Sequence, residues 1–222
     1  YLRMDSNTSR AKRTPLQPLR SAGRQRVEEL LAAASDLMAE RGYEATTMAE
    51  IAARAGAKIG SLYRFFPNKE AVADALVQRH IAILEDEYAA LAKRAATLSP
   101  EALADILIEL LVTLHPRVKS LSALMEARTD KMEIRDRARG HAVAGIAAAL
   151  RVCAPGLDEA LAKDIAAVVL NTMKVLRGML ANDAPTTSGA PDELRRMNRL
   201  YLSDRLAPFR RGSDSATDGK TR

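Results

Sequence analysis

Apolar residues recur at helical spacing along almost the whole chain. Val27, Leu30, Leu31, Ala34, Leu37 and Met38 fall at i, i+3, i+4, i+7, i+10 and i+11, one unbroken stripe on one helix face. Gly42 follows as the stop signal. In "TTMAEIAARAG", Thr46 or Thr47 offers an N-cap oxygen, and Glu50 stands three residues beyond Thr47, as a capping box requires. Met48, Ile51, Ala52 and Ala55 then face inward, and Gly56 ends this short second helix. A third follows in "KIGSLYRFF", where Ile59, Leu62 and Phe66 can share a core while the residues between them cannot. Two short helices joined by a small-residue turn predict a helix-turn-helix. From the Pro67-Asn68 signal, one long amphipathic helix carries the chain away.

Beyond Leu98 the pattern stays helical and becomes richer in Ala and Leu. Ser99-Pro100 opens a helix through Leu114, His115-Pro116 ends it, and "RVKSLSALMEAR" restarts it. A long helix is predicted at roughly 130 to 152, broken by Pro155-Gly156. Asp158 caps the next, which reaches about Ala181, and "NDAPTTSGAPDE" connects to a last helix near 192 to 208. No run of alternating residues suggests a strand. The expected fold class is all-α, about nine helices: an N-terminal three-helix helix-turn-helix head and a larger C-terminal helical bundle. The expected boundaries are a flexible basic arm at 1–22, the head at 23–70, the bundle at 71–210 and a polar tail at 211–222.

Composition narrows the function classes. At 222 residues and 47% hydrophobic, the chain can bury a sizeable core. Its apolar runs are cut by charge well short of the roughly 20 residues a bilayer crossing needs, and no apolar leader follows the basic N-terminus, so a soluble, cytoplasmic protein is expected. Cys153 is the single cysteine, which excludes an internal disulfide and predicts a small buried hydrophobe. His115 and His141 lack carboxylates or thiols at ligand spacing, so neither metal nor cofactor is expected. No Ser, His and Asp cluster or carboxylate pair supports catalysis, and the chain is read as a non-enzyme. The net charge of +6 is unevenly placed: residues 1–26 hold seven basic side chains against one acidic, and the remainder balances. A polyanion is the expected partner of that arm, with a solubilising role as the alternative.

The candidate chemistry lies between the second and fourth helices. Four of the eight Phe and Tyr residues, Tyr43, Tyr63, Phe65 and Phe66, gather around this segment. A helix entering a duplex groove wants small residues where backbone nears phosphate, cations and hydroxyls for phosphate oxygens, and larger side chains for base edges. Gly60 and Ser61, Lys58 and Arg64, Tyr63 and Phe65 supply them, although Tyr63 could instead pack against the first helix. Lys69 beside the free amides of the fourth helix, and Thr47 at the second, can hold phosphate. Arg24 and Arg26, just ahead of the first helix, can reach flanking phosphates or the minor groove.

The stretch "RVEELLAAASDLMAERGYEATTMAEIAARAGAKIGSLYRFFPNKEAVADAL", residues 26 to 76, resembles the DNA-binding head of TetR-family transcriptional regulators. "ERGYEATTM", "IAARAG", "IGSLYRFF" and "PNKEAV" fall in family order and spacing. The resemblance implies that Thr47, Tyr63 and Lys69 hold the DNA backbone while Lys58, Ile59, Gly60, Ser61, Arg64 and Phe65 face the major groove. Lys58 stands where the family often has a capping Ser, and Phe65 where it often has His or Tyr. It further implies a homodimer on double-stranded operator DNA and a bundle enclosing a pocket for a small-molecule effector of unknown identity. The function expected is a ligand-responsive repressor on a palindromic operator; the alternative is a helical adaptor whose bundle binds a protein partner. For the pocket, Ile106, Leu110, Met125, Arg128, Met173 and Arg177 are the candidates. For the dimer interface they are Ala166, Val169 and Leu170 on one helix, and Leu194, Met197 and Tyr201 on the last.

Overall fold

The computed structural model describes residues 21–114, 120, 124, 131–181 and 185–210, and every regular element among them is helical. In chain order these are α1 (Ser21–Arg41), α2 (Met48–Arg54), α3 (Ile59–Phe65), α4 (Lys69–Ala95), α5 (Pro100–Leu114), α6 (Lys131–Cys153), α7 (Glu159–Leu180) and α8 (Ala190–Leu206), then a 3₁₀ turn at Ala207–Phe209. Eight α-helices thus stand against the nine or so expected. The predicted restart after Pro116 falls mostly outside the described residues, but Ser120 and Leu124 within it are helical and buried. The arm up to residue 20, the tail from 211, Met125 and Arg128 lie outside the described residues.

The helix ends follow from local chemistry. The Gly42 amide donates to Met38 O at 3.0 Å, and φ of +83° at Gly42 lets the chain turn left-handed there. Thr47 caps α2 through a complete capping box: its Oγ1 accepts from the Glu50 amide, and its own amide donates to the Glu50 carboxylate at 3.0 Å. Gly56, φ +58°, closes α2, with Ala57 N bonded to Ala52 O and Gly56 N to Ala53 O, the paired bonds of a Schellman end. Asn68, Ser99 and Asp158 cap α4, α5 and α7 with side-chain oxygens accepting from amides two or three residues on.

The chain divides into two compact units, Tyr1–Val77 with Ser120–Arg128, and Gln78–Lys119 with Thr129–Arg222. In the first, α1 buries Leu30, Leu31, Ala34, Leu37 and Met38, joined by Ile51 of α2, Leu62 of α3 and Val72, Ala73 and Leu76 of α4. Ser35 and Ser120, both buried, share a hydrogen bond at 2.9 Å. The core of the second unit draws on Tyr88, Leu91 and Ala95 of α4, Leu103 and Leu107 of α5, Ile146 and Leu150 of α6, Ile165, Val169 and Met173 of α7, and Leu202 and Leu206 of α8. Cys153 is buried there as expected, its thiol pushed above the ordinary range by desolvation and its Sγ 3.4 Å from Leu98 O.

Candidate nucleic-acid interface

Helix α3 spans seven residues, less than two full turns at 3.6 residues per turn. Its inner side is set by Leu62, wholly buried, with Phe65 and Phe66 at the C-terminal end. Everything else on the helix is free to face outward. Ile59 is 43% and Tyr63 51% exposed, and Lys58, Gly60 and Arg64 are exposed with them. Ser61 is partly covered. The result is a surface of one small residue, one hydroxyl, two cations, one phenol and one branched apolar side chain.

Two expectations are corrected here. Phe65 does not join the outward set: it is 4% exposed, because the third turn position after Leu62 returns to the core side, and both phenylalanines pack inward. Its role is to carry Arg64, whose guanidinium lies over the Phe65 ring at 4.8 Å. Ile59, expected in the core beside Leu62 and Phe66, is on the surface instead, since Lys58 is the N-cap and the helix begins only at Ile59. Lys58 makes no side-chain capping bond, which leaves its ammonium available to a ligand.

Lys69 is held more tightly than its sequence position suggests. Its Nζ donates to Tyr43 O at 3.0 Å and to Glu44 O at 3.1 Å, lies over the Tyr43 ring at 4.4 Å and stands 3.9 Å from the Glu44 carboxylate. The side chain therefore ties the α1–α2 turn to the start of α4, with one ammonium hydrogen left over. Tyr43 and Glu44 are thus part of the site's support. Their contribution comes through backbone carbonyls, which no residue pattern reports.

Thr47 is exposed and locally committed. Besides the capping bonds its hydroxyl donates to Glu50 Oε2 at 2.8 Å, and these Thr47 bonds, with Arg41 nearby, hold the Glu50 carboxyl below the usual range. Arg24 and Arg26 stand on α1 rather than ahead of it, because the helix starts at Ser21. Arg26 pairs with Glu29 at 2.8 Å and reaches Ala55 O at 3.5 Å, so it braces α1 against the end of α2; Arg24 is exposed. Arg41 with Glu50 and Arg54 with Glu40 are surface ion pairs across α1 and α2. Lys58 and Arg64 have no carboxylate partner among the described residues.

In the second unit, the interface candidates divide. Ala166, Val169 and Leu170 are buried in the protomer's own core, so they do not form an outward face; α7 points residues 165, 166, 169, 170 and 173 inward. The apolar residues turned outward are Val168, Val175 and Leu180 of α7 and Met197 and Leu200 of α8, each at least 39% exposed. Leu194 and Tyr201 are half-buried against the core. Of the pocket candidates, Met173 is fully buried, Ile106 and Leu110 pack partly buried against the same core, and Arg177 is half-buried.

Comparison with known proteins agrees with this geometry. Residues 30–76 match the family described as "Bacterial regulatory proteins, tetR family". The HTH-type transcriptional repressor KstR2 of Rhodococcus jostii (strain RHA1) is 43% identical over 60 residues, which are 27% of this chain and 29% of that repressor. Among solved structures, a TetR-family transcriptional regulator from Mesorhizobium loti MAFF303099 superposes with a TM-score of 0.65 at 19% identity, over 85% of this chain and 98% of that one. SmeT, the repressor of the Stenotrophomonas maltophilia multidrug efflux pump SmeDEF, gives 0.54 at 24% identity, over 84% and 91%. The matched head and the all-helical fold define a transcriptional regulator with a helix-turn-helix. The chain belongs to the TetR family.

Proposed function

We propose that this protein is a ligand-responsive repressor that binds a palindromic operator as a homodimer. The observation that carries the DNA reading is the outward side of α3: Lys58, Ile59, Gly60, Tyr63 and Arg64 project from a helix anchored behind by Leu62, Phe65 and Phe66. Cations without acidic partners suit phosphate and guanine edges, and Ile59 suits a thymine methyl. Ser61 adds a hydroxyl, Lys69 one remaining donor hydrogen and Thr47 an exposed hydroxyl at the flanks. Arg24 adds charge on α1. The curated relative that shares the head is itself named a repressor, which supports the direction of regulation.

Dimerisation is supported by the outward apolar residues of α7 and α8, Val168, Val175, Leu180, Met197 and Leu200, with Tyr201 and Leu194 at their edge. An effector pocket would be bordered by Ile106, Leu110, Met173 and Arg177. The fold of SmeT, whose complex with triclosan has been solved, is consistent with a bundle that accepts small molecules. Among the described residues no helix is long and apolar enough to cross a membrane.

The test is binding of the purified protein to fragments of its own promoter region, followed by fluorescence anisotropy across a salt series. Each phosphate contact should contribute a slope near −0.9 in log K against log salt. Arg64→Ala should weaken binding by about 1 to 3 kcal/mol if it reads a base, with altered preference at one position. No retention of any promoter fragment at low salt refutes the reading.

A further inference from the structure

The seam between α6 and α7 carries a cluster of cations that DNA recognition does not use. Arg135 and Arg139 stand one turn apart on α6, and Lys174 and Arg177 stand one turn apart on α7. The two helices are stitched where the Arg139 guanidinium donates to Asn171 Oδ1 at 2.9 Å, a neutral acceptor that leaves the arginine's charge uncompensated. Arg135, Arg139 and Arg177 all act electrostatically on Lys174, whose ammonium is pushed below its ordinary range, first by desolvation and then by these three neighbours.

Carboxylates are missing where they would be needed. Helix α7 has no acidic residue after Asp164, and none of the four cations has a carboxylate partner among the described residues. On α6, Glu133 and Asp136 are exposed and sit two residues and one residue out of phase with Arg135, on other parts of the helix surface. Arg137 turns the opposite way, to Gln78 Oε1 at 3.3 Å, as does His141, 2.7 Å from Glu85. Like charges brought together without counter-charge raise the energy of the protein alone, and an anion that fills the space between them removes that repulsion.

We infer that the α6–α7 seam around Arg135, Arg139, Lys174 and Arg177 is a binding site for a small molecule bearing two or more phosphate groups. Three guanidiniums offer planar forks that match phosphate oxygens two at a time, and Lys174 adds a point charge between them. A monocarboxylate would neutralise only one of four charges, whereas a di- or triphosphate moiety spans both helices. Its role as an effector site rests on the ligand-responsive reading above; the binding itself does not.

Isothermal titration of the full chain with tripolyphosphate, in the absence of DNA, tests it. Saturable binding to the native protein is expected, weakened about tenfold or more in the Arg139→Gln/Lys174→Gln double variant. The charge-keeping Arg139→Lys/Lys174→Arg variant should retain most of the affinity, and Arg151→Gln, at the far end of α6, should leave it unchanged. Binding that is absent, that survives in the double glutamine variant, or that disappears instead in Lys58→Ala/Arg64→Ala overturns the inference. A negative titration by a protein that still binds its operator removes this site alone and leaves the repressor reading standing.

Discussion

His80 shows how far burial can move one side chain. It is 1% exposed on α4, and desolvation, helped by the charge of Arg79, brings its pKa down to about 4 from the ordinary 6.5. The unfolded chain therefore takes up a proton on this ring at a pH where the folded chain does not. Its contribution to stability is complete above pH 6.5 and is lost as pH falls from there toward 4, by on the order of 3 kcal/mol in all. Urea unfolding at pH 7 and pH 4.5 should show this loss, and His80→Gln should shrink the difference between the two pH values even though it lowers stability at both. An unchanged pH dependence in the variant would assign the acid sensitivity elsewhere. Lys69 makes a related point: a residue placed by its sequence as a phosphate ligand spends two of its three donors on Tyr43 and Glu44 carbonyls, so it shapes the α1–α2 turn as well as facing its flank.

At the level of elements, what could be read from sequence is what near neighbours decide. The stripe of α1, the Thr47–Glu50 box, the glycine stops and the caps at Ser99 and Asp158 all depend on residues within one turn of each other, and all are present. Facing was harder to read in two places. A seven-residue helix is too short for its period to choose between Ile59, Phe65 and Phe66 as core residues, and tertiary packing chose both phenylalanines. Helix α7 is apolar on more than one side, so its pattern announces two buried faces without saying that 166, 169 and 170 belong to the protomer and 168 and 175 to the surface. Nor did any pattern single out Arg135, Arg139 and Lys174, whose common property emerges only when α6 and α7 lie side by side. The same pairing of long-range partners governs α6 at Gly145. A Cβ there would lie 2.5 Å from Tyr88 Cβ, whereas one at Gly140 on the same helix meets nothing within 4 Å. Gly145→Ala should therefore destabilise by about 1 to 3 kcal/mol through overpacking. Gly140→Ala, gaining helix propensity without a clash, should be neutral or stabilising by up to about 1 kcal/mol. Paired thermal unfolding curves decide, and equal effects would mean that α4 and α6 separate more readily than the Tyr88 contact implies.

For the whole molecule, the repressor reading ties DNA affinity to a surface remote in sequence from α3. Each protomer offers one short recognition helix with two uncommitted cations, Lys58 and Arg64, a modest electrostatic footprint by itself. Two such helices held by one dimer bind a palindrome with the second contact made nearly intramolecular, which typically raises affinity by about 10²- to 10⁴-fold over a single head. The dimer in turn needs an apolar face that the protomer does not use, and Val175 at 52% and Leu200 at 62% exposed are its most open members. Placing charge there should separate the subunits without touching either core, since neither side chain belongs to it. Val175→Lys/Leu200→Glu is accordingly expected to run as a monomer in light scattering after gel filtration, to keep its helical circular dichroism, and to lose at least about a hundredfold in operator affinity. A monomeric variant that still binds the operator at native strength would show that one head suffices, and a variant that stays dimeric would move the interface to another face of the bundle.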